Sequence, residues 1–520
     1  TVSVGTLALA DGSNGGLAAN YTLSGGTHQL TVNQRPLNAT LARQYDGTTA
    51  AAGSTVSSFD ALQGGETLTM TGSGTAASAN VANGIAMSSN GNLALADGTG
   101  AASNYSLNST VINIAKRVLN SSGSKTYDAN TNALAGAITL SNLVSGEALN
   151  HSGTATISSA NAGSYTISNL SGINIADGSG GAASNYTLTG GTHNFTVNQR
   201  VVGVSGTRLY DATTNTVASD LSTHANLVGS ETLTLSGTGT IASKDVGSNK
   251  TVSVGTLALG NGSNGGLAAN YTLTGGTHQL TVNQRPLNAT LARQYDGTTA
   301  SAGSTLSSFD ALQGGETLTM TGSGTAASAN VANGIAMSSN GNLALADGTG
   351  AASNYSLNST VINIAKRVLT SSGSKTYDAN TDALAADITL GNLVSGEALN
   401  HSGTATISSA NAGSYTITNL AGITIADGSG GAASNYTLTG GTHNFTVNRR
   451  VVGVSGTRLY DATTNAVASD LSTHANLVGS QTLSLSGTGT IASKNVGSNK
   501  TVSIGSLSLG NGSNGGLAAN

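Results

Sequence analysis

Residues 43–71 read RQYDGTTAAAGSTVSSFDALQGGETLTMT. The last five, Thr67-Leu68-Thr69-Met70-Thr71, alternate polar and apolar side chains. A period of two marks a strand with one buried and one wetted face. The same rhythm recurs on either side, at Thr1-Val2-Ser3-Val4, Thr6-Leu7-Ala8-Leu9 and Gln29-Leu30-Thr31-Val32-Asn33. Turn signals separate these runs: Gly64-Gly65, Asn83-Gly84, Asn90-Gly91, Gly247-Ser248-Asn249 and Asp11-Gly12-Ser13-Asn14-Gly15-Gly16. Asn-Gly suits a two-residue hairpin turn, because both residues tolerate positive φ. Short strands at spacings of about 8–12 residues predict an all-β, β-sandwich-like fold. One short helical turn is expected near Ser58-Phe59-Asp60-Ala61-Leu62, and no long helix.

Moving outward, the quoted stretch returns at 293–321 with two changes, at 301 and 306. Residues 251–500 copy residues 1–250 with 18 substitutions, and 501–520 begin a third copy in phase. Each block divides again. A Tyr-Asp pair recurs at Tyr45-Asp46, Tyr127-Asp128, Tyr210-Asp211, Tyr295-Asp296, Tyr377-Asp378 and Tyr460-Asp461, spaced 82, 83, 85, 82 and 83 residues apart. An Asn-Tyr-Thr/Ser motif keeps step, with Tyr21, Tyr105, Tyr186, Tyr271, Tyr355 and Tyr436. The chain therefore reads as a tandem array of modules of about 83 residues. Boundaries fall at the basic residues Arg35, Arg117, Arg200, Arg285, Arg367 and Arg450. This gives a C-terminal part of a module at 1–35, whole modules at 36–117, 118–200, 201–285, 286–367 and 368–450, and an N-terminal part at 451–520. Such a span is expected to be a window cut from a longer array. The other arrangement has residues 21–35 of one chain complete 451–520 of the next. No flexible linker separates the modules, which predicts a stiff, elongated rod. The rival architecture is a β-solenoid, but no self-similarity at about 21 residues accompanies the one at about 83.

Composition narrows the function. Only 8% of the residues are charged, and the chain has 72 glycines, two prolines, no Cys and no Trp. Net charge is −4. With no basic stripe to neutralise phosphates, nucleic acid is not an expected partner. No apolar run reaches the roughly 20 residues of a membrane-spanning helix. Without Cys there is no disulfide framework.

The Tyr-Asp motif has the form Arg/Lys-x-Tyr-Asp-Gly/Ala-x-Thr. Strand alternation would put the cation and Tyr on one face and Asp on the other. One reading makes Tyr a core anchor and Asp a turn-former; the other makes Tyr an exposed sugar-binding platform. The Asp-Gly loops at Asp11, Asp97 and Asp177 leave calcium open as the one possible cofactor. Each loop supplies a single carboxylate and position 261 is Asn, so they read as turns. The histidines lack metal-ligand spacing, and His28 and His193 are expected on the solvent face of the closing strand. Ser, His and Asp are scattered without a nucleophile elbow, and no catalytic residue is assigned. Asn20, Asn38, Asn104 and Asn108 fit the Asn-x-Ser/Thr pattern, by chance in so Asn- and Thr-rich a chain. The ETLTMTGSGT and ETLTLSGTGT stretches read as flat, uncharged strands able to pair laterally or present hydroxyl ladders.

RQYDGTTA, KTYDANTNA and RLYDATTN, then SGETLTLSGTGT, NVGSNKTVSVGTLAL and ANYTL, together resemble the YDG-type repeat of large bacterial adhesins. In arrangement the chain is similar to filamentous haemagglutinin-like exoproteins exported by two-partner secretion. The resemblance implies extracellular, cell-surface or biofilm-matrix repeats, with no catalytic residues. The chain departs from the pattern at Ala129 and Ala212, which follow Asp where Gly is usual, and in keeping Pro only at Pro36 and Pro286. The expected function is a structural stalk or filament-building element, partnered by neighbouring copies of itself. The alternative is a multivalent set of glycan-binding modules that engage surface or matrix polysaccharide.

Overall fold

The computed structural model describes residues 1–520. It is all-β, with short 3-10 turns and no α-helix. No helix is long and apolar enough to cross a membrane. The chain divides into two compact units. One comprises Thr1–Gly206, Asn215–Ile241 and Thr251–Leu280; the other comprises Thr207–Thr214, Ala242–Lys250 and Thr281–Asn520.

In the first unit, one module shows how the alternation is used. Its strands are β1 (Arg35–Gln44), β2 (Thr55–Phe59), β3 (Leu68–Thr71), β4 (Thr75–Ala76), β5 (Ala82–Ser89), β6 (Ala94–Asp97) and β7 (Tyr105–Ala115). β1 turns Leu37, Ala39 and Leu41 inward, and β7 turns in Thr110, Ile112 and Ile114. Five strands form one sheet in the order β2-β1-β7-β5-β4. Its centre is the parallel pair β1 and β7, ten paired residues from Arg35 opposite Tyr105 to Gln44 opposite Ala115, with a one-residue register shift after Leu37. A parallel pair needs a long crossover, and here the rest of the module supplies it. β3 and β6 form a separate antiparallel ribbon.

The chain passes from ribbon to sheet at Gly72, between β3 and β4. Gly72 has φ +85°, and a Cβ there would overlap the Asn92 carbonyl oxygen. In the next module the same passage is one continuous strand, Leu149–Ile157. Its first half pairs with Ile173–Asp177, its second with Asn132–Leu134 and Gly163–Asn169. Gly153, φ +102°, sits at the change-over. A strand that bends from one sheet into another makes the corner of a sandwich or partial barrel. The core lies inside that corner, with Leu37, Leu68 and Tyr105 at one end and Leu41, Tyr45, Ala76, Ile112 and Ile114 at the other. Each large side chain so buried contributes about 1.5–3 kcal/mol before entropy is charged against it.

The second unit repeats this plan. Arg285–Gln294 and Tyr355–Ala365 pair in parallel over ten residues. The following module has its own sheet and its own core around Tyr377, Ile407 and Phe445. All-β structure in tandem repeats of about 83 residues is therefore what the chain adopts. Each of these sheets closes on strands of its own module, unlike a solenoid.

Several local expectations are corrected. Ser58 and Phe59 belong to a strand, and the short 3-10 turns lie instead just before each Asn-Tyr, as at Ala102–Asn104. Asn83-Gly84 is not a hairpin turn. Only Gly84 takes positive φ, and the pair sits in β5 where its register with β7 slips. The ETLTMTGSGT stretch is bent at Gly72 rather than flat. Gly247-Ser248-Asn249, expected as a turn, opens the strand Gly247–Ser253. Residues 1–17 and 21–34 contain no strand, whereas their copies are strands at 251–253, Ala258–Asn261 and His278–Asn283. The strand at 278–283 lies beside Gly203–Leu209 in its sheet, a neighbour that residues 29–33 lack. The histidines of the closing strand do not face solvent: His28 and His193 are half-buried, with Nε2 2.8 Å from the carbonyl oxygens of Leu23 and Leu188, and their copies His278 and His443 are buried. Their Nε2 atoms lie 2.8 and 2.9 Å from the carbonyl oxygens of Leu273 and Leu438, five residues earlier, which folds the rings inward.

Candidate functional site

The recurrent motifs meet where one module joins the next. β1 ends at Gln44, so Tyr45 and Asp46 lie in a turn and the expected two-face alternation does not apply. Asp46 instead swings back to pair with Arg43, and its Oδ1 accepts the Thr48 amide at 2.9 Å. Burial pushes the Asp46 carboxyl up, but these donors outweigh it and hold it below the usual range. Asp128, Asp211, Asp296, Asp378 and Asp461 pair in the same way with the cation three residues earlier. Gly47 follows with φ +77°, and Ala129 and Ala212 hold φ +63° at the equivalent positions. The turn survives Ala for Gly, with the strain that an L-residue carries there.

The turn aims Tyr45 into the next module. Its ring meets Tyr186 edge-on, centroids 5.4 Å apart and planes at 78°. Both hydroxyls donate to one carboxylate, Tyr45 to Glu147 Oε1 at 2.7 Å and Tyr186 to Oε2 at 2.6 Å. Tyr127, Tyr271 and Glu231 repeat the arrangement in the first unit. Tyr210, Tyr355 and Glu316, and then Tyr295, Tyr436 and Glu397, repeat it in the second. Tyr377 meets Gln481, whose Nε2 donates to its hydroxyl at 2.7 Å. Tyr105 donates to Glu66 at 2.5 Å. Tyr21 and Tyr460 are exposed, while the other ten motif tyrosines are buried. Burial, then the carboxylate, pushes Tyr127, Tyr186 and Tyr271 up to about 12. Edge-on ring pairs are worth about 0.5–1.5 kcal/mol, and hydrogen bonds to a charged group about 1.5–3.

Two further contacts fasten the same junction. Asn185, in the Asn-Tyr motif, accepts the Val81 amide at 2.9 Å and donates to Asn80 at 3.0 Å. Asn270 treats Ala162 and Asn161 likewise, Asn435 treats Val331 and Asn330, and Asn520 treats Ala412 and Asn411. Arg117 reaches the Tyr45 carbonyl at 3.4 Å while donating to Asn142. Arg200, Arg285, Arg367 and Arg450 hold the carbonyls of Tyr127, Tyr210, Tyr295 and Tyr377.

The Asp-Gly loops serve this site indirectly. Asp97 Oδ1 accepts the Ala102 amide at 2.7 Å, which starts the 3-10 turn that presents Asn104 and Tyr105. Asn261 makes the same bond to Ala268 at 2.8 Å, so the loop needs an acceptor and not a charge. No group of three or more His, Asp or Glu side chains is placed to hold a metal ion.

Sequence reasoning missed the glutamate, the arginine strap and the Asn clasp. A signal for the first was present: the chain has five glutamates, and all five occupy this one position.

Six consecutive stretches match the YDG domain: residues 27–112, 115–193, 196–281, 278–362, 365–443 and 446–520. No curated protein sequence matches the chain. The Tyr-Asp-Gly/Ala turn that gives this domain its signature is, in this chain, the element that sends a tyrosine into the neighbouring module, and the chain belongs to the YDG domain family.

Proposed function

We propose that the chain is a structural spacer, a stalk or filament-building region of an extracellular bacterial adhesin or matrix fibre. The carrying observation is how the recurrent aromatics are used: Tyr45 and Tyr186 are buried against each other and against Glu147 across a junction. Side chains placed there couple neighbours and are withheld from any ligand. Connections such as Lys116 between β7 and the next strand at Arg117 add no slack. The resemblance to adhesin repeats supports an extracellular site, and the low charge suits an inert spacer. No catalytic role is assigned.

Electron microscopy of the purified chain tests this reading. Extended particles with a regular module-sized repeat support a spacer, and collapsed particles with variable module arrangement overturn it. A glycan array run on the same material discriminates the alternative. Binding that rises with module number and survives Glu147→Ala would move the function to the module surfaces.

A further inference from the structure

The junctions are built alike but are not interchangeable. Each block holds three types of module: 36–117 and 286–367 are the first, 118–200 and 368–450 the second, 201–285 and 451–520 the third. Where a first-type module meets a second-type one, the residue after Tyr-Asp is Gly47, facing Val144 and Glu147. A Cβ at Gly47 would lie 2.8 Å from Val144 Cγ1, and one at Gly297 would lie 2.9 Å from Val394 Cγ1. Where a third-type module meets a first-type one, the residue is Ala212, and its partner loop reads Gln313-Gly314. Here the constraint is reversed: a Cβ at Gly314 would lie 2.8 Å from the Ala212 Cβ. The same junction alone carries Lys244, 2.5 Å from Glu316 Oε1 and 5.8 Å from the centre of the Tyr210 ring. Ala79 and Ala160 stand at the corresponding places of the other two types.

We propose that the residue after Tyr-Asp and the loop before the junction glutamate form a matched recognition surface whose partner is one module type. Module order is then written into the junctions. A third-type end carries a methyl group where a second-type loop has Val144 and Ser145 in its path. It also carries a lysine that donates to a glutamate already bridging two tyrosines. A first-type end set against another first-type loop would leave the space of the Ala212 methyl empty. At the remaining junction the end residue is Ala129 and the following loop has Gly229 where the second type has Ser145, so glycine ends go with the Val-Ser loop and alanine ends with loops that carry glycine there. This rests on the junction geometry and stands whether or not the array serves as a stalk.

The test is hydrogen exchange on the full chain, followed in residues 77–87 and their identical copy 327–337, which contain the clasped amides of Val81 and Val331. Gly47→Ala with Gly297→Ala is expected to speed exchange there about tenfold. Adding Val144→Gln, Ser145→Gly, Val394→Gln and Ser395→Gly, the residues found at 313 and 314, is expected to restore protection to within about twofold. Unchanged exchange in the alanine variant would overturn the proposal. So would acceleration that the loop changes fail to reverse, since the effect would then be backbone strain at positive φ and not a mismatch between partners.

Discussion

At the residue scale, Glu147 ties the junction together. Its half-buried carboxylate satisfies two hydroxyls from two modules, so Glu147→Ala leaves both tyrosines without their acceptor. The expected loss is about 2–3 kcal/mol of local stability, read by native-state hydrogen exchange at the Val81 amide. Glu147→Gln should lose about half as much, because Gln481 already holds Tyr377 with an amide. The tyrosines also set an alkaline limit. Their folded pKa of about 12 for Tyr127, Tyr186, Tyr271, Tyr355 and Tyr436 lies above the unfolded value near 10,. Folding therefore favours the protonated phenol, and that contribution is complete below pH ~10 and lost as pH rises toward ~12. The melting temperature should fall across that window, in step with the tyrosinate ultraviolet band. Asp97→Asn should change stability by less than ~0.5 kcal/mol and Asp97→Ala by about 1 kcal/mol. A calcium chelator should leave the melting curve where it was, given that Asn261 does the same work uncharged. The motif tyrosines were legible in the sequence by recurrence. Their partners were not, because Tyr45 and Glu147 lie 102 residues apart and period alone does not say which distant side chain a motif meets.

At the element scale, the corner glycine decides whether ribbon and sheet can enclose a core. Gly72→Ala, made together with Gly322→Ala, meets both positive φ and a backbone oxygen in its path. We expect it to destabilise the module by about 2–4 kcal/mol, measured by the urea midpoint of the chain against the parent. Alternation at Leu68 to Thr71 and the glycine pairs predicted the strands and most turns. It could not reveal that β1 pairs with β7, because a period of two fixes which face is buried and leaves the neighbour unspecified. The histidines follow the alternation instead of defying it. His278 shares the inward phase of its strand with Leu280 and Val282, and there its ring finds a carbonyl five residues back, which satisfies a ring nitrogen without water.

At the scale of the whole molecule, the junctions turn separate folds into coupled ones. The cluster that holds Leu41, Tyr45 and Ile112 also contains Leu119 and Tyr186 of the following module. Nearest-neighbour terms of this kind make unfolding spread along an array. Glu147→Ala should accordingly loosen residues 77–87 on one side and 183–188 on the other, seen as paired losses of exchange protection. A loss confined to one side would mean that the modules are independent. The parallel β1–β7 ladder has a mechanical consequence as well. Force applied through the chain enters at Arg35 and leaves at Ala115, which lie at opposite ends of a ladder of ten pairs with one register shift near its start. The load then runs along the strands and shears every rung at once, instead of peeling one rung at a time. A module of this design is a tether that yields only when its whole central ladder slips together.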